Sequence, residues 1–276
     1  MIHQWSLIWQ LKNSHSKSNI FHSGRSHPNQ SFYISNITLT TTSLSSDLGI
    51  SFDPNLKFKT HIYEVKRAKQ RAALIHRSFL SRNIYNLVRA FKIYVRPLVE
   101  YAPQVWSPYQ ILLINQVEGI QRIFTKRLPG LANLSYTDRL SLLKLQSLEH
   151  RRLLFDLLMC FKIVRGYTGL SFDDFFSFSK VTSTRGHPLK LVIPLTKTNH
   201  SKFFFSSRVI PIWNSLPSKF VTATSPSHFK THFLSRFWQL FNFPNFLFVI
   251  HLHNYNYLLS HILYSVNIFK VVQPSF

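Results

Sequence analysis

The sequence predicts a mainly α-helical protein with a short β-hairpin ahead of its helices and irregular segments at both ends. Between 60 and 164, apolar residues recur every three or four positions, which places them on one face of a helix. Alternation of apolar and polar residues, the pattern of a strand, is confined to short runs. The chain has 276 residues, 45% of them hydrophobic, so it can bury one substantial core or two modest ones.

The first elements are expected to be a loop and then a hairpin. Residues 1–46 are rich in Ser, Thr, Asn and His without a sustained period, so we expect a disordered or non-native leader there. The start of the chain also lacks the basic region and small-residue cleavage site of a signal peptide. Residues 47–52 alternate like a short strand, and Asp53-Pro54-Asn55 predicts a turn. We therefore expect 47–57 to form a β-hairpin.

Two amphipathic helices are predicted next. Their apolar stripes are Ile62, Val65, Ala68, Ala72, Ile75 and Phe79 in the first, and Ile84, Leu87, Val88, Phe91 and Val95 in the second. The residue before a proline is disfavoured in the helical region, so the second helix should stop at Pro97. Together with Pro103 and Pro108, Pro97 predicts a kinked or extended connector. Glu100 lies among apolar residues of this connector, and pairing with a nearby arginine or backbone amide explains it better than catalysis.

A third helix and a helical hairpin follow. The third apolar stripe consists of Leu113, Val117, Ile120 and Phe124. Pro129-Gly130 ends this helix. Ser135 and Ser147 are candidate N-caps of a short helix through Leu143 and a longer helix ending at Gly166. We expect these two helices to form a helical hairpin within 131–180.

The pattern weakens beyond residue 180. Within 181–238 we expect a short edge strand at 191–194, a strand or irregular apolar run at 203–213, and a helix at 227–238. Residues 239–276 are strongly apolar, but asparagine, proline and histidine interrupt every window long enough to span a membrane. A poorly ordered tail is the preferred interpretation, and a membrane partner is not favoured.

Charge indicates the class of partner. The chain has 33 Lys and Arg against 10 Asp and Glu, a formal net charge of +23, so we expect a polyanion: nucleic acid first, an anionic membrane second. All ten acids lie between Asp47 and Asp174. We interpret the acid-free ends as translated from sequence that was never selected as a solvated fold. The one cysteine, Cys160, excludes an intrachain disulfide, and its apolar neighbours predict burial.

Signatures of catalysis are mostly missing from the sequence. It contains neither a glycine-rich phosphate loop nor a His-Glu-x-x-His zinc motif. His228 and His232 lie four apart, but with 14 histidines such pairs arise by chance, so we interpret them as surface residues. Asp173-Asp174 is similar to half of a two-Mg²⁺ polymerase site, yet its Phe-rich setting after a helical hairpin favours a polar loop or helix start. We predict no catalytic residue, metal ligand, cofactor or small-molecule substrate for this chain.

Basic helices are the positive functional signal. Lys and Arg neutralise phosphates, and only Glu64 opposes nine positive charges between 60 and 97, so nucleic-acid contact and a merely solvated face both stay open. The candidate phosphate-binding residues of the first two helices are Lys66, Arg67, Lys69, Arg71, Arg77, Arg89 and Lys92. A second cluster consists of Arg122, Lys126 and Arg127.

Several motifs resemble one family in the same order. Val95-Arg96-Pro97-Leu98-Val99-Glu100-Tyr101-Ala102, followed by Val105-Trp106-Ser107-Pro108-Tyr109, closely resembles a run in the reverse transcriptases of LINE-type, jockey-like non-LTR retrotransposons. The resemblance begins at Leu48-Gly49-Ile50 and fades after Trp238. It also includes Val117-Glu118, Tyr136, Leu148-Glu149-His150-Arg151-Arg152, Thr184-Arg185-Gly186-His187 and the run from Phe204 to Pro217.

The resemblance implies a fragment of a polymerase. Residues 47–57 would be a hairpin remnant of the palm, 58–130 a thumb-like bundle that grips template and primer, and 181–238 the family's C-terminal region. Its partners would be an RNA or DNA primer–template or the missing polymerase portion, in the nucleus or cytoplasm. The family's aspartates and their Mg²⁺ belong to a palm upstream of Leu48, so no catalytic residue carries over. The alternatives are a translated, non-functional relic and a basic membrane-associated protein.

Overall fold

A computed structural model of the protein describes residues 2–11, 14–24, 30–34, 36–180 and 186–240. About half of these residues are helical, and the strands among them form short two-stranded pairs and no closed sheet. The predicted mainly α-helical class is therefore confirmed. The chain divides into two compact units, one up to Glu64 and one from Val65 onward.

The first unit combines short strands with a helix at each end. Its elements are α1 (Ile2–Ile8), a 3₁₀ turn (His15–Lys17), β1 (Asn19–Phe21), β2 (Tyr33–Ile34), β3 (Ile37–Thr38), β4 (Thr40–Thr42), β5 (Ser45–Asp47), β6 (Ile50–Phe52) and α2 (Lys59–Val65). Strands β1 and β4 pair in parallel, and β2–β3 and β5–β6 are antiparallel. The expected loop or disorder in 1–46 is thus wrong for its described residues, because strands of two or three residues leave no period to detect.

A β-hairpin forms from β5 and β6, but it covers 45–52 and its turn lies at Leu48–Gly49, within the stretch predicted as one strand and ahead of the turn predicted at Asp53. Leu48 and Gly49 connect the strands with φ of 46° and 79°, the left-handed pair typical of a type I′ turn. The following Asp53 side chain accepts backbone hydrogen bonds from Asn55, Lys57 and Phe58. The turn predicted at Asp53 is therefore held by its own carboxylate, as aspartate does in many turns.

The second unit is built from helices. They are α3 (Ala68–Ser78), α4 (Ile84–Tyr94), α5 (Arg96–Glu100), α6 (Pro103–Trp106), α7 (Ile111–Lys126), α8 (Tyr136–Leu142), α9 (Leu148–Val164), α10 (Asn199–Lys202), α11 (Phe205–Ser215), α12 (Ser218–Val221) and α13 (Pro226–Leu240). Ser135 and Ser147 cap α8 and α9, as predicted, by accepting from the backbone N–H groups of Asp138 and His150. The helix predicted at 227–238 corresponds to α13.

Helix boundaries differ from expectation in the first half. The single helix predicted from Thr60 to Phe79 is interrupted at Lys66–Arg67, which separates α2 from α3. The proline-containing connector is kinked but not extended, since it forms α5 and α6. Pro97 and Pro103 each lie at the start of one of these helices, where the missing N–H of proline has no helical partner to lose.

Residues 203–213, expected as a strand or irregular run, lie mostly in α11. That prediction is wrong because Pro211 and the surrounding aromatic residues hide a helix that tertiary packing stabilises. The edge strand expected at 191–194 is reduced to one bridge between Leu191 and Phe178. Residues 181–185 and 241–276 lie outside the described part of the chain, and with them most of the expected apolar tail.

Two clusters of apolar side chains fill the second unit. In the first, α3 packs against α4 and α7, and the Phe91 and Phe124 rings stack with centroids 4.5 Å apart. In the second, α9 packs against α11 and α13 around Phe161, Trp213 and Phe229. The helices α8 and α9, which we expected to pair as a hairpin, both pack against α7. Cys160 is buried in the second cluster, as predicted.

His187 makes the stability of this second unit sensitive to acid. Its Nε2 donates to the Trp213 carbonyl over 2.9 Å, and its buried Nδ1 has no hydrogen-bond partner among the described residues. Burial lowers the pKa of His187, and the Lys190 charge lowers it further, although the Trp213 carbonyl opposes them. Below about pH 6.5 the unfolded chain therefore binds a proton that the folded chain does not.

We expect the free energy of unfolding to fall as the pH drops below about 6.5. The variant His187→Gln keeps a donor for the Trp213 carbonyl but cannot be protonated, so it should weaken this pH dependence. Urea unfolding between about pH 5.5 and 7.5 measures the slope. The exposed His228→Gln serves as control. An unchanged slope in His187→Gln would show that other groups carry the effect.

Candidate nucleic-acid interface

The ten predicted phosphate-binding residues all lie in the second unit, and nine of them are exposed. Lys66 is partly buried. Lys69, Arg71 and Arg77 belong to α3, Arg89 and Lys92 to α4, and Arg122 and Lys126 to α7, with Arg67 and Arg127 at helix boundaries. Because α3 packs against both α4 and α7, these basic segments lie on adjacent helices.

Helix α4 carries a basic ridge. Arg89 and Lys92 are three residues apart on one side of α4, and Arg96, four residues further on, is the first residue of α5. Arg89 and Lys92 are exposed, whereas Arg96 is partly buried and forms a salt bridge with Glu100 at 3.1 Å. The ridge therefore runs from solvent towards the helix α5.

The α4 ridge leads into a cleft of about 670 Å³, which we call the basic cleft. Its polar lining is Lys92, Arg96, Ser141, Lys144, Gln146 and Arg151. The cationic side chains of Lys92, Arg96, Lys144 and Arg151 thus line the same cleft. Burial lowers the pKa of Lys92, and the charges of Arg96 and Arg151 lower it further, which indicates a positive potential in the cleft. An anion bound here would relieve that repulsion.

Glu100, the acidic residue of the proline-containing connector, forms its contacts within the fold. Glu100 accepts hydrogen bonds from Arg151 Nε and Nη2, the latter at 2.7 Å, in addition to its salt bridge with Arg96. Its side chain is 11% exposed. The prediction that Glu100 pairs with an arginine is therefore confirmed. One carboxylate shared by two arginines leaves the basic cleft with a surplus of positive charge.

Glu118, the other acid between 65 and 130, is buried in α7. It accepts hydrogen bonds from the Tyr136 hydroxyl and from the backbone N–H groups of Leu148 and Glu149, the last two at 3.1 Å. Burial and the Glu118 charge raise the pKa of Tyr136. Both carboxylates in 65–130 are thus committed to internal contacts, and neither neutralises the exposed cations of α3, α4 and α7.

The cluster at the end of α7 is less open to phosphate. The Arg122 guanidinium lies 5.1 Å from the centre of the Tyr136 ring, a cation–π contact that occupies one of its faces. Lys126 and Arg127 are exposed at the helix C-terminus, where cations also stabilise the helix dipole. Burial lowers the pKa of the His76 imidazole, and the positive charges of Arg127 and Arg82 lower it further.

Arg208, from the last family-like motif, holds the helices together. It donates two hydrogen bonds to Asp156, at 2.8 and 3.0 Å, and others to the carbonyls of Phe203 and Gln104. Trp213 of the same motif donates through Nε1 to the Leu189 carbonyl over 2.8 Å. These contacts connect α6, α9 and α11. The motif residues therefore have structural roles in this fold.

Sequence reasoning missed part of the basic cleft. Lys144, Arg151 and Arg96 were not among the candidate residues, and no local pattern marks Lys144 or Arg151 as neighbours of α4. The structure also places the aspartate pair that the sequence analysis considered as a metal site. Asp173-Asp174 is exposed in a turn, and no group of three His, Cys, Asp or Glu side chains among the described residues could hold a metal ion.

Comparisons with known proteins add little about activity. No protein-family model matches the chain, and no solved structure matches it. An uncharacterized protein of Caenorhabditis elegans is 30% identical over 113 residues, which are 40% of this chain and 57% of that protein. The chain thus spans little more than half the length of the relative it matches. Of the described helices, none has the length and apolar character to cross a membrane.

Proposed function

We propose that this chain is the post-palm region of a LINE-type, jockey-like non-LTR reverse transcriptase, and that it binds the phosphate backbone of RNA or DNA. The motifs in family order support the ancestry. One observation supports the activity: α3, α4 and α7 expose their cations while Glu100 and Glu118 point inward. In this proposal α3, α4 and α7 form a thumb-like bundle.

Backbone binding requires no catalytic group from this chain. Lysine and arginine neutralise phosphates and release the counterions condensed on the nucleic acid. The α4 ridge, with Arg89 and Lys92, would follow the backbone, and the basic cleft would take a phosphate where the ridge ends. In this proposal polymerisation and Mg²⁺ belong to the palm of the polymerase, and the partners are a primer–template and the polymerase portion that carries the palm.

The double variant Arg89→Gln/Lys92→Gln tests this proposal. For each phosphate that a lost cation neutralises, the slope of log affinity against log salt should fall by about 0.9 on duplex DNA and about 0.7 on single strands. Affinity at about 50 mM salt should fall at least tenfold. Fluorescence anisotropy with a labelled RNA–DNA primer–template, recorded from about 50 to 200 mM salt with the full chain, gives both quantities.

The matched control is Lys197→Gln/Lys219→Gln, which removes two exposed cations outside α3, α4 and α7. It should leave the salt slope unchanged. An equal loss in both double variants would mean that net charge alone binds the polyanion. Absence of salt-dependent binding by a cooperatively folding chain would contradict the proposal, and absence of cooperative unfolding would favour a translated relic.

A further inference from the structure

A second cavity, of about 590 Å³, lies between the 107–109 segment, α7, α9, Phe203 and α11. Most of its surface is apolar, from Tyr109, Ile111, Ile114, Leu153, Phe203 and Ile212. The Tyr109 and Phe203 rings stack in parallel with centroids 4.3 Å apart. A cavity with flat aromatic and aliphatic walls fits a planar ligand.

Two charged side chains of α9 line this cavity. Arg152 is 3% exposed, and its Nη1 has no hydrogen-bond partner among the described residues. Glu149 is partly buried, which raises the pKa of its carboxyl, and the nearby Arg152 charge opposes that rise. The two residues are three apart, so they lie on the same side of the helix. A buried donor, Arg152 Nη1, that has no hydrogen-bond partner among the described residues thus lies beside a carboxylate acceptor.

The charges lining the cavity balance. Asp156 accepts hydrogen bonds from Nε and Nη2 of Arg208, and the negative charge of Glu149 offsets the positive charge of Arg152. An anion would gain an arginine but would meet the Glu149 carboxylate. The lining therefore favours a neutral ligand with donors and acceptors along one edge, in contrast to the phosphate expected in the basic cleft.

We infer that this cavity binds an unstacked nucleobase of a single-stranded nucleic acid, and that Glu149 and Arg152 select guanine. The choice of ligand class rests on the proposed function. Proteins read single-stranded bases by stacking them on aromatic side chains and bonding their edges. Guanine presents two adjacent donors, N1–H and N2–H, to one carboxylate and its O6 acceptor to an arginine. Adenine, cytosine and uracil lack that adjacent pair of donors.

Binding of free nucleosides to the full chain tests this inference. Guanosine should bind at least about tenfold more tightly than adenosine, since a good bidentate pair contributes about 1–3 kcal/mol of discrimination. Isothermal titration calorimetry measures both affinities. In Glu149→Gln, the guanosine preference should disappear. Lys219→Gln, an exposed position outside both the basic cleft and this cavity, should leave guanosine affinity unchanged.

A second variant separates loss of the site from loss of the fold. Ile114→Trp fills the cavity from a partly exposed position and should abolish guanosine binding while primer–template binding persists. Equal affinities for guanosine and adenosine, or a preference that survives Glu149→Gln, would overturn the inference even if oligonucleotides bind with a normal salt slope. Guanosine binding without salt-dependent primer–template binding would instead refute the backbone-binding function and leave the cavity assignment intact.

Discussion

Replacing Arg208 by methionine is expected to destabilise the second unit by about 3–5 kcal/mol. The change leaves the Asp156 carboxylate without its two charge-assisted hydrogen bonds at a site where that residue is 5% exposed. It also removes the donors that hold the carbonyls of Phe203 and Gln104. Urea unfolding, followed by intrinsic tryptophan fluorescence, measures the loss.

The double variant Asp156→Leu/Arg208→Met is the matched control. Removing both members of a buried ion pair avoids the uncompensated charge, so the double variant should recover most of the stability lost in Arg208→Met. Recovery should remain incomplete, because the backbone carbonyls still lack their donor. A loss below about 1 kcal/mol in the single variant would show that Arg208 does not hold the helices as described.

Glu118→Gln is expected to have the next largest effect, about 3 kcal/mol of lost stability. Hydrogen bonds to a charged group contribute about 1.5–3 kcal/mol each to stability. Three hydrogen-bond donors point at the Glu118 carboxylate, and the glutamine NH₂ group would face one of them with a donor of its own. Those donors are the Tyr136 hydroxyl and the N–H groups of Leu148 and Glu149. The variant therefore loosens the start of α9, and thermal unfolding with circular dichroism detects it.

Tyr136→Phe isolates one of these donors. It keeps the Glu118 carboxylate and its two backbone hydrogen bonds, so we expect a loss of only about 1 kcal/mol. If Tyr136→Phe destabilised the protein as much as Glu118→Gln, the phenol and not the carboxylate would dominate the network. If Glu118→Gln were neutral, the buried carboxylate would have no role in holding α7 to α9.

The long helices were predictable because each has its own local signal. Helix α4 carries an uninterrupted apolar stripe, and Ser147 marks the start of α9 with a cap. Local sequence signals did not predict the elements whose structure depends on tertiary packing. Pro211 removes an N–H donor inside α11, yet burial of Val209, Ile212 and Trp213 outweighs that loss. Strands of two or three residues, such as β1 and β4, depend on pairing between residues distant in sequence.

The sequence predicted which basic residues of α3 and α4 are exposed, but not how the fold brings other basic residues close to them. Exposed cations on α3 and α4 follow from helical spacing, and the proposed ancestry rests on the resemblance between motifs, not on geometry. The basic cleft required tertiary contacts: Lys144 and Arg151 come from segments about fifty residues beyond Lys92 and face it only after folding. That Glu100 pairs with an arginine was predictable, but its choice of Arg151 was not.

The buried Cys160 gives the protein an internal reporter of opening. Burial, together with the Asp156 charge, raises the pKa of the thiol well above its usual range, and the side chain is fully covered by the cluster around α9. Reagents attack the thiolate, so alkylation must wait for the cluster to open. Because the sequence has one cysteine, each labelled molecule records an opening of the same core, and mass spectrometry can count such events without an attached dye.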